Sequence, residues 1–293
     1  MGVSTDFSTF CSNLSVDNSA TISSRYHTIT TRLNLDFWAT DSDTLHSLYV
    51  GSYGRDSAIR GVSDIDIIFE LPNSLYHKYD AYTGNGQSAL LQSVRASILQ
   101  TYPSTDIGAD GQVVAVSFQS MTFEVVPAFI NKDGSSFTYP DANAGGQWRL
   151  TNPRPEIQAI NDMNLACNHN LKRLCRMARA WKNQHDAPMG GLLIDTFAHN
   201  FIRSWQYSDK SYTYYDWMMR DFFSYISQQD TTQQYWLAVG SNQRINRKGL
   251  FEYKAKSAFN TAKEAIALQL DASTSTYDSR RKWRQIFGTT YPS

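Results

Sequence analysis

The segment GSYGRDSAIRGVSDIDIIFELP, residues 51–72, carries the most informative pattern of this 293-residue chain. Asp64 and Asp66 alternate with Ile65 and Ile67, which predicts a β-strand with both carboxylates on one face and both isoleucines on the other. Two carboxylates held this close repel each other unless a divalent cation lies between them, and Mg²⁺ prefers such oxygen ligands. The spacing therefore indicates a metal site, although a solvated strand face with a D-x-D pair would show the same pattern.

A glycine–serine turn precedes this acidic strand. Gly51 and Ser52 follow the apolar residues 48–50, so bare backbone N–H groups and a hydroxyl can approach a phosphate closely. A phosphate-binding turn followed about a dozen residues later by paired metal ligands is typical of nucleoside triphosphate chemistry. No GK[ST] follows the glycines, which excludes a Walker A loop.

Glu124 is the candidate for a third metal-binding carboxylate. It alternates with Phe123 and Val125 in a predicted strand over residues 123–129. An acid on a short apolar strand needs a partner or a cation to offset its desolvation. The alternative is a surface acid on an edge strand.

The chain divides into two halves of opposite charge. Residues 1–149 contain 8 Lys/Arg and 15 Asp/Glu, whereas residues 150–293 contain 19 and 12, so the zero net charge is a cancellation. This balance argues against a basic nucleic-acid coat protein or an acidic disordered tail. Predicted strands alternate with helices in the first half, and four helical stretches follow in the second, which predicts an α+β fold.

The predicted elements place a domain boundary near residue 155. A bracing helix begins near Ser19, another helix covers residues 88–101, and residues 131–155 are predicted to be loop because prolines and glycines interrupt them. The later helices are predicted over residues 157–184, 192–205, 217–227 and 256–270. We therefore predict a mixed-sheet catalytic domain over residues 1–155 and a helical domain over residues 156–293.

Composition also bears on location and on redox state. No apolar run is long enough to span a membrane and the N-terminus lacks signal-peptide features, which predicts a cytoplasmic protein without a membrane partner. Cys11, Cys167 and Cys175 are too few for a disulfide framework. Cys167, His169 and Cys175 match no zinc-binding spacing, so reduced thiols are expected.

A strongly basic helix is predicted over residues 171–182, with five cations and no acid. Lys172, Arg176 and Arg179 lie within about 60° of one another on a helical projection, opposite an apolar stripe. Stacked like charges without nearby acids weaken a helix. The pattern therefore indicates either a bound anion or a solvated basic face.

The motifs together resemble a known superfamily. G-S-x-x-G, then S-D-x-D, then an acid before V-V-P-A-F is similar to the nucleotidyltransferases of the polymerase β superfamily, and within it to the oligoadenylate synthetase and cGAS/DncV-like group. More narrowly, the chain resembles the bacterial CD-NTases of antiphage CBASS systems, including the segments RLTNPRPEIQAI and RLCRMARAWK. The resemblance implies a two-lobed polymerase β-like fold that joins nucleoside triphosphates into a cyclic di- or trinucleotide messenger and releases pyrophosphate.

The resemblance implies a metal site, a class of substrate and a set of partners. Asp64, Asp66 and Glu124 would hold two Mg²⁺ ions, for which Mn²⁺ can substitute, although many relatives carry Asp where this chain has Glu124. ATP, GTP or both are the expected substrates, a regulatory protein or a phage-derived RNA or protein is an expected trigger, and a downstream effector would sense the product. The zinc-binding insertion of the animal branch has no counterpart here, so activation by double-stranded DNA is not implied.

The resemblance also implies nucleotide-binding residues. Gly51 and Ser52 would position the donor nucleotide, while Arg176 and Arg179 would bind its triphosphate, with Lys172 a weaker candidate. Two alternatives remain open. The first is another nucleotidyltransferase activity, either linear oligonucleotide synthesis or transfer of a nucleotide to another acceptor; the second is a catalytically silent nucleotide- or RNA-binding homologue.

Overall fold

A computed structural model describes residues 2–271, 273 and 276–293, which form two compact units. The sheet unit comprises Asp17–Arg55 and Gly61–Ile157. The helical unit comprises the residues up to Val16, Asp56–Arg60 and Gln158–Ser293. The unit boundary after Ile157 lies two residues from the predicted domain boundary, but the N-terminal residues group with the helical unit instead of the sheet.

The described residues contain eleven α-helices and nine β-strands. The helices are α1 (Val3–Asn13), α2 (Ser19–Trp38), α3 (Gly51–Gly54), α4 (Asn73–Asp80), α5 (Gly86–Thr101), α6 (Pro153–Ala166), α7 (Asn170–His185), α8 (Gly191–Ile202), α9 (Tyr215–Ser227), α10 (Glu252–Leu270) and α11 (Thr276–Phe287). The strands are β1 (Ser47–Tyr49), β2 (Asp64–Glu70), β3 (Asp106–Asp110), β4 (Val113–Phe118), β5 (Met121–Ile130), β6 (Phe137–Asp141), β7 (Gln147–Thr151), β8 (Tyr235–Leu237) and β9 (Arg244–Asn246).

A mixed sheet organises the sheet unit. Its strands follow the order β1-β2-β5-β4-β3, with β6 pairing with the end of β5 and β7 pairing with β6. β2 and β5 are parallel, whereas β1 and β4 are antiparallel to their neighbours. The combination of this sheet with a helical unit confirms the predicted α+β class.

Helices α2 and α5 pack together in the sheet unit, each through an apolar stripe. Leu90, Leu91, Val94 and Ile98 of α5 recur at three- to four-residue spacing and are fully buried. The Asn85 side chain caps this helix by accepting a hydrogen bond from the Ser88 N–H at 2.9 Å. Both helices were predicted from their apolar periodicity, and both are confirmed.

The prediction of a loop over residues 131–155 is wrong, because β6 and β7 form a hairpin there and α6 begins at Pro153. Two of the three glycines in this range, Gly145 and Gly146, lie in the hairpin turn with φ of 87° and 97°. Asp141 holds this turn by accepting a hydrogen bond from the Asn143 N–H at 3.1 Å. The glycines and prolines of a short hairpin therefore led to the prediction of a longer loop.

Helix α1 was not predicted, and its packing explains why it belongs to the helical unit. The Phe7 ring lies 5.2 Å from that of Trp283, and the Phe10 ring lies 4.5 Å from that of Phe287. All four side chains are buried. These contacts join the two ends of the chain in one apolar core.

The helix predicted over residues 157–184 is two helices, α6 and α7. The chain turns between them at Asn168 and His169, which have φ of 50° and 62°. The three other predicted helices of this half are observed as α8, α9 and α10. The cysteines are free thiols, and Cys167 and Cys175 are buried. Across the described part of the chain, every helix is too short or too polar to span a bilayer.

Candidate active site

The acidic residues of β2 and β5 share one face of the sheet. Asp66 pairs with Glu124 across these parallel strands, and Asp64 pairs with Thr122. Residues paired in register project to the same side, and alternate residues project to opposite sides. Ile65 is completely buried on the other face. The strand alternation predicted for both aspartates is therefore confirmed.

Asp66 and Glu124 lie close enough for each carboxyl to influence the pKa of the other. Burial raises the pKa of both side chains, and the neighbouring acids raise that of Glu124 further. Both carboxyls therefore hold a proton more tightly than exposed carboxyls do.

Arg55 supplies a positive charge beside this face. Its guanidinium counteracts the rise in the pKa of Asp66, and its Nη1 lies 3.6 Å from the Glu156 carboxylate. Both members of this ion pair are nearly fully buried. The sequence analysis did not select Arg55. Its position shortly before the two aspartates is the signal that could have identified it.

Gly51 lies directly against Asp66. Its φ is +61°, and a Cβ at this position would lie 1.8 Å from Asp66 Oδ2 and 3.0 Å from Asp66 Cβ. The neighbouring Val50 N–H donates a hydrogen bond to the Asp66 carbonyl at 2.9 Å. Only glycine combines this conformation with this approach. The structure thus brings the predicted phosphate-binding turn and the predicted metal ligand together.

The donor chemistry of this face fits a divalent cation. Asp66 and Glu124 present adjacent carboxyl oxygens of raised proton affinity, and hard cations such as Mg²⁺ replace protons at such groups. Asp64 is exposed at the start of β2, about 7 Å along the strand from Asp66. Among the residues described, no three acidic, His or Cys side chains converge tightly enough to enclose an ion. Asp64 raises the pKa of both other acids and lies on the same face of the sheet, so the three predicted ligands are neighbours.

In the helical unit, α7 buries an apolar stripe as predicted, and its cations have internal partners. The guanidinium of Arg179 is buried and donates to Asp195 Oδ2 at 2.8 Å and to the Gly191 carbonyl at 3.1 Å. Asp195 also accepts a hydrogen bond from Ser57 Oγ at 3.0 Å. An ion pair therefore accounts for this buried cation without an external anion, and its predicted phosphate contact stays a prediction.

Lys172 and Arg176 share a single carboxylate, Asp56. Lys172 Nζ lies 3.2 Å from Asp56 Oδ2, and Arg176 donates to both Asp56 Oδ1 and the Asp56 carbonyl. Arg173 donates instead to the Tyr215 hydroxyl at 3.2 Å. The sequence prediction missed Asp56 because it lies more than a hundred residues before α7. The assignment of Arg176 to a triphosphate also stays a prediction.

A mixed sheet with paired acids on adjacent parallel strands, beside a glycine–serine turn, is the arrangement that the resemblance to nucleotidyltransferases implies. The family model described as the Second Messenger Oligonucleotide or Dinucleotide Synthetase (SMODS) domain matches residues 1–164, more than half of the chain. The chain belongs to this family. It is a bacterial CD-NTase, a nucleotidyltransferase of cyclic oligonucleotide synthesis, as the resemblance implied.

The chain is also similar to one further bacterial protein and to two solved structures. A probable cyclic nucleotide synthase of Bacillus cereus strain VD146 is 21% identical over 287 residues, covering 83% of this chain and 81% of that protein. The CD-NTase CdnG of Bradyrhizobium diazoefficiens, solved with GTP, superposes with a TM-score of 0.73 at 12% identity and 98% and 95% coverage. Escherichia coli MS115-1 CdnC, solved with a HORMA protein, gives 0.70 at 13% identity and 99% and 98% coverage. The shared fold is polymerase β-like, as predicted.

Proposed function

We propose that this chain uses Asp64, Asp66 and Glu124 to join nucleoside triphosphates, ATP and GTP foremost, into a cyclic di- or trinucleotide. The observation that carries the proposal is the pairing of Asp66 with Glu124 against Gly51, in a chain of the SMODS family. The reaction would take place in the cytoplasm and serve antiphage defence.

The acidic face would hold two Mg²⁺ ions, with Mn²⁺ as a substitute. Bound there, the ions would lower the pKa of the attacking ribose hydroxyl and neutralise charge on the pyrophosphate leaving group. Asp66 and Glu124 would bind the cations through their adjacent carboxyl oxygens, and Asp64 would complete the ligand set. Gly51 keeps the Asp66 carboxylate in place because no side chain intrudes on it.

The remaining residues would bind and orient the donor nucleotide. Ser52 and the backbone of its turn would contact the triphosphate, and Arg176 and Arg179 would neutralise its charge. The ribose hydroxyl oxygen of one nucleotide forms a bond to the α-phosphorus of the next, the bond to pyrophosphate breaks, and the hydroxyl proton leaves to solvent. Repetition of this transfer within the linear product closes the ring. Catalysis of this kind consists mainly of positioning and charge stabilisation.

A regulatory protein is the proposed partner. The supporting observation is the HORMA protein in the structure of Escherichia coli CdnC, whose fold this chain shares. The chemistry of the acidic face does not depend on this partner. Activity of the purified chain alone therefore tests the site and the partner separately.

The test is to incubate purified protein with labelled ATP, GTP, CTP and UTP, with Mg²⁺ or Mn²⁺, and to treat the products with phosphatase before mass analysis. Phosphatase-resistant product and released pyrophosphate are expected with the wild type and neither with Glu124→Gln. Phosphatase-sensitive oligonucleotides would favour linear synthesis instead. Tight nucleotide binding without pyrophosphate release, with either metal and with a candidate regulator added, would favour the silent homologue.

A further inference from the structure

The carboxylate of Asp56 lies where two cations of α7 meet. Lys172 and Arg176 are one helical turn apart, and their like charges would repel without an anion between them. Asp56 contacts both, through Oδ2 at 3.2 Å and through Oδ1. Its own side chain is 61% exposed, so the contact is at the surface of the helical unit. Exposed ion pairs are weak and exchange readily.

The second predicted phosphate-binding arginine has a different kind of partner. Asp195 is fully buried, and it meets Arg179 through both carboxylate oxygens while also accepting from Ser57. Breaking a buried pair leaves an uncompensated charge, so this partner does not exchange. Of the two arginines, Arg176 alone has a partner that an incoming anion can replace.

The Asp56 contact is also imperfect on both sides. Asp56 has a φ of 52°, in the left-handed region that glycine occupies with less strain. The Nε of Arg176 is buried and has no hydrogen-bond partner among the described residues, so this guanidinium uses only one edge of its fork. A phosphate accepts bidentate hydrogen bonds from an arginine. Exchange of Asp56 for a phosphate would therefore satisfy Arg176 better.

We propose that Asp56 is an internal competitor of the triphosphate, which must displace the Asp56 carboxylate from Lys172 and Arg176 in order to bind. The proposal rests on the proposed function, because it assumes that Arg176 binds phosphate. Asp56 follows the glycine–serine turn by only four residues. Asp56 is therefore near in sequence to the segment that would hold the donor nucleotide.

The test measures the binding of inorganic tripolyphosphate to the full chain by calorimetry, without divalent metal and at 0.15 M salt. Asp56→Asn removes the charge and keeps a side chain that tolerates left-handed backbone. We expect its Kd to fall about three- to tenfold, the range that two exposed ion pairs are worth. Asp56→Gly is a second variant without strain and should shift the Kd in the same direction.

Asp186→Asn is the matched control. Asp186 ends α7 with a φ of 47°, is exposed, and its backbone carbonyl, not its carboxylate, accepts from Lys254 Nζ. The substitution makes the same change in net charge, and we expect the Kd to change by less than about twofold, since long-range charge is screened at this salt. Equal tightening by Asp56→Asn and Asp186→Asn would overturn the proposal.

Arg176→Met separates failure of this proposal from failure of the proposed function. If Arg176→Met weakens tripolyphosphate binding and Asp56→Asn leaves it unchanged or weaker, Arg176 binds phosphate and Asp56 does not compete. If Arg176→Met has no effect, the phosphate role of Arg176 fails and the competition fails with it. The proposal is supported if Arg176→Met weakens tripolyphosphate binding and if Asp56→Asn no longer increases the affinity when it is combined with Arg176→Met.

Discussion

The acidic face of β2 and β5 and the basic face of α7 handle like charges in opposite ways. On the strands, Asp66 and Glu124 lie side by side, and burial raises the pKa of both. On the helix, acids from distant segments neutralise the cations: Asp56 meets Lys172 and Arg176, and Asp195 meets Arg179. A surplus of charge in sequence therefore does not by itself locate a ligand. The charge that has no internal partner is the better guide to a ligand site, and more of that charge lies on the acidic face.

The largest effect expected from this difference is on catalysis at the acidic face. Asp66→Asn should lower product formation at least about a thousandfold, since a metal site supplies several kcal/mol of transition-state stabilisation. The same variant should keep or raise the thermal unfolding midpoint at pH 8, because the raised pKa of Asp66 makes its charge unfavourable without metal. Product assays and thermal unfolding are compared; synthesis at the wild-type rate would contradict the metal assignment.

A large effect on stability is expected at the basic helix. Asp195→Ala leaves the Arg179 guanidinium buried without its counter-ion, which should cost about 3–5 kcal/mol in the free energy of unfolding. Asp209→Ala is the control, because its pair with Lys210 is exposed and should be worth less than about 1 kcal/mol. Urea unfolding measures the free energy of unfolding of both variants. A loss for Asp195→Ala as small as that for Asp209→Ala would show that the Arg179 pair does not stabilise the fold.

Gly51→Ala tests the geometry of the acidic face, because it disturbs this face without removing a charge. Both Gly51 and Gly61 have positive φ, but a Cβ at Gly61 meets nothing within 4 Å whereas one at Gly51 meets Asp66. Both substitutions should cost about 1 kcal/mol of stability from backbone strain. Gly51→Ala should in addition lower the rate about ten- to a hundredfold by displacing the Asp66 carboxylate. Similar rates in the two variants would remove the proposed role of the close approach.

The smallest effect concerns a buried acid of the helical unit. Burial raises the pKa of Asp216 to about 6, although the Trp217 N–H donates to it and Arg220 lies nearby. A raised carboxyl pKa gives stability that is complete below about pH 4 and lost as the pH rises through 6. Asp216→Asn should therefore gain about 1–3 kcal/mol relative to wild type between pH 4 and pH 8. Urea unfolding across this range checks it, and a difference independent of pH would show that Asp216 does not titrate there.

Period-two alternation and apolar helical spacing predicted much of this fold from sequence. The residues around Asp64 and Glu124 alternate strictly because one face of each strand is buried. The partners of the basic helix were not predictable in this way, because Asp56 meets α7 only through tertiary folding. Helix α1 was not predicted for a related reason. Its packing depends on contacts of Phe7 and Phe10 with aromatic rings at the other end of the chain.

The course of the chain between the two units limits how the protein can be divided. Asp56–Arg60 belong to the helical unit although the sheet unit surrounds them in sequence, and the Arg60 N–H donates to the Leu14 carbonyl at 2.8 Å. A fragment that ends near residue 157 would expose the buried rings of α1, and one that begins there would lack both α1 and Ser57. Neither unit corresponds to one continuous stretch of sequence, so a single cut yields no fragment that contains a complete core.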